Sequence, residues 1–346
     1  MRLGQWVGFL ALIISIYILW RIHQVLLLAF TAVILATVIN QLVKRLEQKG
    51  LHRGFGIAVS ITTLLVVFAV LFALIIPPFF DQLPQLISAV PQGLDQLRVW
   101  IERLSDQIPG QLGDGTGILT RLTQQLPDFI NQLFGNFYSL FTNSVEIILS
   151  LLLVLIVTIM LLASPNAYRR VFLLIFPKFY RQRVNNILLK CEVALTGWLI
   201  GILFNMTVIA VFSGLGLWLL GVPLPLANAS LAGLLTFIPN LGPTLSVIPP
   251  AALALLESPW KALAVIGLYV LIQQVESNIL TPLVMRHQVS LLPAITLLSQ
   301  LAFSIFFGFM GLLLALPLLV VAQVCLKEVL VEDIMNDWQK PSEFQG

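Results

Sequence analysis

The sequence predicts an all-α polytopic membrane protein with about eight membrane segments, two of them broken or re-entrant, plus an extracytoplasmic helical hairpin. Three observations carry that class. Of 346 residues, 58% are apolar and 10% charged, against about 25% charged in a soluble chain. Mean hydropathy is +0.97. Apolar runs of about 20 residues, enough to cross a hydrocarbon core of ~30 Å, recur along the chain, and two are interrupted by proline and glycine.

The elements follow in order. The run at 6–20 is succeeded by Arg21-Ile22-His23-Gln24 rather than by a small-x-small cleavage site, so it reads as an uncleaved first helix. A second span covers 25–43, and a third covers 55–76 and stops at Pro77-Pro78. Between them Lys44, Arg45, Lys49, His52 and Arg53 form a basic loop. Residues 77–142 change character: acids outnumber bases, and Leu83, Leu86, Ile87, Val90, Leu94 and Leu97 recur at three- and four-residue steps. That spacing marks an amphipathic helix; a second follows the turn at Pro109-Gly110 and Gly113-Asp114-Gly115. A fourth span covers 145–163. The segment after it carries Arg169, Arg170, Lys178, Arg181, Arg183 and Lys190 interleaved with aromatic residues, as a loop on the cytoplasmic lipid surface does. A fifth span covers 194–220 and contains Asn205, Thr207 and Ser213. The division is 1–76, N-terminal membrane helices; 77–142, extracytoplasmic hairpin; 143–193, one span and a basic arm; 194–326, a motif-rich core; 327–346, a cytoplasmic tail. Basic loops inside and an acidic hairpin outside place both termini in the cytoplasm of a multi-pass protein.

No charged residue occurs between Glu192 and Glu257. Within that stretch Ile238-Pro239-Asn240-Leu241-Gly242-Pro243 interrupts an apolar run, with Pro249 beyond it. Proline lacks an N–H and glycine admits unusual backbone angles, so this cluster breaks a helix. In lipid each unpaired backbone group costs several kcal/mol. A break here therefore points to binding or gating. The last apolar stretch, 291–326, is too long for one simple span and carries Pro293, Gly308, Gly311 and Pro317. The two interrupted segments resemble each other weakly, and such pairs point to transporter binding sites. Between them lie Gln273, Gln274, Glu276, Ser277 and Asn278, followed by Pro282. Gln273 shares a helix face with Glu276 and Ser277, and Gln274 with Asn278. Glu276 is the only acid between Glu257 and Glu328. It falls about 22 Å along a helix from Lys261, in the far half of the core, where carboxylates mark ion or proton paths. The structural alternative is that it reaches the interface or caps broken helix ends. Asn228 and Asn240 are further candidate contacts for a solute.

Other classes find little support. The net charge of +3 is concentrated in two short segments, so it speaks for topology and no nucleic-acid partner is expected. Cys191 and Cys325 are far apart in sequence and His287 stands alone, so neither a disulfide framework nor a metal site is expected, and no cofactor. No nucleophile–base set or phosphate loop is visible, which disfavours an enzyme.

At these residues the chain resembles the AI-2E family of bacterial membrane proteins, the autoinducer-2 exporter-like, PerM-type transporters. The matching pattern is Phe237-Ile-Pro-Asn-Leu-Gly-Pro243 with Pro249, then Gln273-Gln-Val-Glu-Ser-Asn278 with Pro282, then Val289-Ser-Leu-Leu-Pro293, then Phe307-Gly-Phe-Met-Gly-Leu-Leu-Leu-Ala-Leu-Pro317. It departs at Arg286-His287, where the family often has a glycine. The resemblance implies a transporter in the bacterial plasma membrane. It further implies export of a small polar solute of autoinducer-2 type, as associated with some members, or sodium (lithium)/proton antiport, as associated with others, by a homo-oligomer for which a pentamer is one candidate. The residues themselves frame the choice as a secondary transporter, with ion coupling as one form, against a passive channel or a scaffold. In the first, Asn228, Asn240, Gln273, Glu276 and Asn278 contact the solute or ion. Pro239, Gly242, Pro243, Pro249, Pro282, Gly308, Gly311 and Pro317 shape the breaks.

Overall fold

The computed structural model describes residues 10, 14–15, 17–67, 69–70, 73, 92, 95–96, 99, 144–238, 241–280 and 293–330. Most of the expected first span, nearly all of the hairpin at 77–142 and the tail from 331 lie outside the described residues, as do Pro239, Asn240 and Pro282. Every extended regular element described is a helix: α1 His23–Gln48, α2 Arg53–Val67, α3 Ser144–Ala163, α4 Pro165–Leu174, α5 Arg181–Leu219, α6 Pro225–Leu235, α7 Leu241–Ser246, α8 Ile248–Glu257, α9 Pro259–Val275 with a π turn Glu276–Leu280, and α10 Pro293–Leu326. Proline opens α4, α6, α9 and α10. In that position its missing N–H would have no helical partner anyway. Among the described residues four helices are long and apolar enough to cross a membrane, or five if the bent pair α3–α4 is one span. The expectation of about eight also counted 6–20, 55–76 and the interrupted run at 224–256. The first two fall wholly or partly outside the described residues, and the third is built from short helices.

The chain divides into two compact units: 1–62, 148–199 and 287–346 form the first, and 63–147 and 200–286 the second. In the first unit Arg53 joins two helix ends. Its Nη2 donates to the carbonyl of Leu162 at 2.9 Å and to Asn40 Oδ1 at 3.3 Å, and its Nη1 to Glu47 at 3.2 Å. Leu162 sits in the last turn of α3, where carbonyls lack helical partners. Thr158 reaches from α3 to the Ala32 carbonyl of α1 at 3.4 Å. The basic segment proves more helical than a surface loop. After a 91° bend at Ser164, α4 runs with no buried residue. From Arg181 the chain is already in α5, well ahead of the expected start at 194. Lys and Arg are good helix formers, and this early stretch has a partner: the carboxylate of Glu328, 3% exposed, accepts from Lys190 Nζ at 2.5 Å and forms an ion pair with Arg183 Nη2 at 3.2 Å, while the same Nη2 donates to the Glu328 backbone carbonyl at 3.1 Å.

The expected break in the last apolar stretch is present, at one residue. Gly308 has φ 64° and ψ −147°, a conformation that only glycine adopts without strain. The chain folds back there: a Cβ on Gly311 would lie 2.1 Å from the carbonyl oxygen of Phe303, on the near side of the break. In a straight helix those positions stand roughly 12 Å apart. Trp20 and His23 flank this reversal, with Trp20 edge-on to Phe306 at 6.0 Å and His23 5.6 Å from Phe307. Pro317 makes no break of its own. The helix runs through it, with Gly308 the one residue whose angles leave the helical region.

Two outcomes are expected. Gly311→Ala lowers the melting temperature and folded yield in detergent, because overpacking costs about 1–3 kcal/mol even where only side chains must move. Gly267→Ala, where a Cβ would meet nothing within 4 Å, leaves both unchanged or higher. Glu328→Ala, which strands two cations, lowers the melting temperature clearly. Lys44→Ala, which removes only a 3.8 Å pair with Glu192, moves it little, since exposed pairs contribute about 0–1 kcal/mol.

Candidate functional site

The second unit contains a hairpin of short helices, and its construction explains where the polar residues fall. α5 ends at Leu219. Gly221 then takes φ 63°, and Leu224, just before Pro225, takes the strained left-handed angles φ 58° and ψ 43°. These two residues turn the chain back into α6. The Asn228 amide braces the turn, donating to the Leu224 carbonyl at 3.0 Å and to that of Pro223 at 3.4 Å. After α6 the chain reverses, passes through α7 and returns along α8. Lys261 Nζ then donates to the Gly221 carbonyl at 2.7 Å and pairs with Glu257. The two ends of the hairpin are thus clamped together, and both legs start from one level. The 11 residues of α6 rise roughly 16 Å, about half of a ~30 Å hydrocarbon core.

The tip is where the sequence places its break. Phe237 and Ile238 donate to the carbonyls of Leu234 and Leu235 at 3.2 and 2.9 Å, and Gly242 to Ile238 at 2.8 Å. These bonds satisfy backbone groups that hydrocarbon would leave unpaired. A Cβ on Gly242 would lie 1.9 Å from the Leu235 carbonyl oxygen, so only glycine lets the second leg begin this close to the first. Pro243 lies in the first turn of α7, and Pro249 in that of α8. Both therefore open a helix after a break, which proline tolerates.

α9 packs on this hairpin through Ala262, Val265, Tyr269 and Ile272, all buried in one apolar cluster with Ala227, Ala232, Leu253 and Ala254. Their alternating three- and four-residue spacing continues to Glu276. The carboxylate thus lies on the stripe of α9 that meets the hairpin. Its Oε2 is buried and meets no hydrogen-bond donor among the described residues. The Gln273 side chain lies beside the carboxylate and donates to Ser277 Oγ at 3.4 Å. Glu276 also opens a π turn, a rare geometry that is frequent at functional sites; residues 327–330 form another.

Helix contacts fix the depths. A Cβ on Gly214 would lie 3.2 Å from Ala229 Cβ, and one on Gly233 would lie 2.9 Å from Ala210 Cβ and from the Met206 carbonyl. Moving forward along α6 from Ala229 to Gly233 thus corresponds to moving back along α5 from Gly214 to Ala210, so these helices run antiparallel. Extending that register brings the hairpin tip to the turn of α5 around Met206. Gly216 faces Leu268 of α9, and the same extension brings Glu276 to that turn as well.

The predicted residues therefore separate. Gln273 and Glu276 are brought to the depth of the tip. Asn228 is fully buried but near the feet of the hairpin. Asn278 pairs with Gln274 at 2.7 Å on an exposed face. Asn240 lies outside the described residues. Sequence reasoning gave no role to the buried Tyr269, which Ser213 of α5 approaches, or in the other unit to the buried Thr296 and Gln300 of α10. Each is a single polar residue in an apolar run, and only helix register shows which way it faces. No group of three or more His, Cys, Asp or Glu that could hold a metal ion occurs among the described residues.

Apolar helices of spanning length, a hairpin of short helices clamped at its feet and a carboxylate with one buried oxygen on the helix packed against it fit an integral membrane protein of the transporter class. The chain belongs to the AI-2E transporter family: the family model described as AI-2E family transporter matches residues 9–330. The chain is 25% identical over 308 residues to MT0215 of Mycobacterium tuberculosis (strain CDC 1551 / Oshkosh), provisionally named a transport protein, covering 89% of this chain and 83% of that one. It is 26% identical to YhhT of Escherichia coli (strain K12), provisionally named likewise, covering 88% and 83%. It is 25% identical to the AI-2 transport protein TqsA of the same strain, covering 86% and 84%.

Because an amide fills the volume of a carboxylate without its charge, Glu276→Gln is expected to assemble and melt like the wild type in detergent. Gly242→Ala is expected to lower the melting temperature, as the Leu235 carbonyl cannot move away without breaking its bond to Ile238.

Proposed function

We propose that the protein is a secondary transporter of the bacterial inner membrane that exports a small polar solute of autoinducer-2 type by alternating access, with Glu276 as its ion-coupling group. The observation that carries this reading is the Glu276 carboxylate, which faces the re-entrant hairpin at the depth of its tip with one oxygen unpartnered. A buried carboxylate in lipid is expensive and is kept where it serves an ion or proton path. The name of TqsA supports the solute class. The basic residues from Arg169 to Lys190 favour a cytoplasmic start for α5. With both termini cytoplasmic, the hairpin then enters from outside and α9 returns inward, so Glu276 lies in the inner half of the bilayer. Asn240 and Gln273, the latter beside the carboxylate, hold the solute. Asn228 braces the feet of the hairpin, and Gly242, Gly308 and Gly311 form the flexing points. A homo-oligomer fits the many apolar side chains exposed on single helices, such as Leu271 at 65% and Leu298 at 66%. The same unpartnered carboxylate also favours sodium (lithium)/proton antiport as a second reading.

Flux in liposomes of the purified protein tests this, with wild type and Glu276→Gln under imposed pH and sodium gradients, and autoinducer-2 and sodium as cargoes. Gradient-driven accumulation of autoinducer-2, abolished in the variant, is the expected result. Accumulation of sodium alone selects the antiporter. Dissipative flux unaffected by the variant overturns both in favour of a passive channel.

A further inference from the structure

We propose that Asn205 of α5 is a second oxygen ligand, with Glu276, for a small monovalent cation held at the depth of the hairpin tip. This rests on the reading above that Glu276 serves an ion path, and it adds a ligand and a charge class.

Asn205 belongs to the buried stripe of α5 that continues through Ile209, Ser213 and Leu217. It is 6% exposed, and its Oδ1 has no hydrogen-bond donor among the described residues. The antiparallel registers of α5 with α6 and with α9 bring its turn to the level of the hairpin tip and of Glu276. Two buried oxygen acceptors, Asn205 Oδ1 and Glu276 Oε2, thus share one level of one compact unit without donors.

An unsatisfied acceptor is costly when buried, and two at one level repel each other. A cation removes both penalties; an anion raises them. The local helix dipole has the same sign. α6 runs from the feet to the tip, so its C-terminal end, at Leu235, lies at this depth. Helix C-termini carry about half a negative charge and, in membrane transporters, coordinate cations. Carboxylate and carboxamide oxygens are hard ligands that suit alkali and alkaline-earth ions. Charge balance decides between these. Glu276 is the one acidic residue from 258 to 280, and α5 from Val193 to Leu219 has none. One carboxylate neutralises one positive charge, whereas a divalent ion leaves an uncompensated charge in a low-dielectric setting.

The test is equilibrium binding of radioactive sodium to the full-length protein in lipid nanodiscs, with potassium and calcium as competitors. Melting temperatures are measured with sodium and with choline. Wild type is expected to bind sodium saturably and to melt higher in sodium. Asn205→Ala is expected to bind about tenfold more weakly or worse and to lose the sodium-dependent shift, with its melting temperature in choline near the wild-type value. Asn205→Asp keeps an oxygen at the position and adds a charge, so it is expected to bind again and to turn preference towards calcium. A merely structural asparagine would not produce that reversal, and Asn205→Asp keeps the test open if the alanine variant folds poorly. Wild-type-like sodium binding by both Asn205 variants, with binding lost in Glu276→Gln, overturns the role of Asn205 and leaves ion coupling at Glu276 standing. Absence of sodium binding by the wild type overturns the cation site, while pH-driven transport that still needs Glu276 would keep the transporter reading.

Discussion

Hydrocarbon offers nothing to an unpaired amide, and the structure of the second unit depends on how that constraint is met where an apolar helix stops after 11 residues. The hairpin from Gly221 to Lys261 ends α6 at Leu235 and restarts at Leu241, yet the described tip amides of Phe237, Ile238 and Gly242 each find a carbonyl. Close approach makes this possible, and close approach requires Gly242. A side chain there would occupy the space of the Leu235 carbonyl. The feet need a second device. Left-handed angles at Leu224 are unfavourable for a bulky side chain, and the Asn228 bonds and the Lys261–Gly221 clamp hold the chain in that shape. Strain of this kind persists only where surrounding structure over-determines it.

With the hairpin fixed, the chemistry that α9 can perform is limited by what its inner face presents. Ala262, Val265, Tyr269 and Ile272 fill the contact with apolar surface. The next position on the stripe is the only acidic side chain between Glu257 and Glu328. Had Glu276 been one residue later, it would have turned towards the exposed side that carries Gln274 and Asn278. The Gln274–Asn278 pair satisfies itself. Glu276 retains one buried oxygen with no donor among the described residues.

What was legible in the sequence was local. Proline and glycine at 239–243 announced a break, and the helical spacing of Gln273, Ser277, Gln274 and Asn278 announced which of them would pair. Signals that depend on distant partners were silent. Nothing near Lys261 says that its ammonium seeks the carbonyl of Gly221, on the far side of the whole hairpin. Nothing near Arg183 says that Glu328, across most of the chain, would draw the basic segment into α5. Pro317 shows the opposite error. Its local chemistry breaks helices, yet the helix runs through it because the legs on either side of Gly308 had already reversed and Pro317 is buried in the packing of the second leg. Asn205 was visible as a polar residue in an apolar span. Its meaning waited on the contacts of Gly214, Gly216 and Gly233, which set the register of α5 against its neighbours.

The same device occurs once in each unit, and that bears on what the breaks are for. Pro225 opens the segment that reverses before Gly242, and Pro293 opens the one that reverses before Gly311, at nearly the same spacing. In each, the glycine lies against a carbonyl on the near side of its break, that of Leu235 in one and Phe303 in the other. A single interrupted helix is readily explained as a local accident of packing. Two built on nearly the same spacing, each with a glycine where any side chain would collide with backbone, are better explained by a shared requirement for a tight, side-chain-free reversal. A passive span needs no such reversal, because an unbroken helix satisfies its own backbone more cheaply. The cost is justified only if the ends of the half-helices are used, and in the second unit the residue waiting at that depth is Glu276.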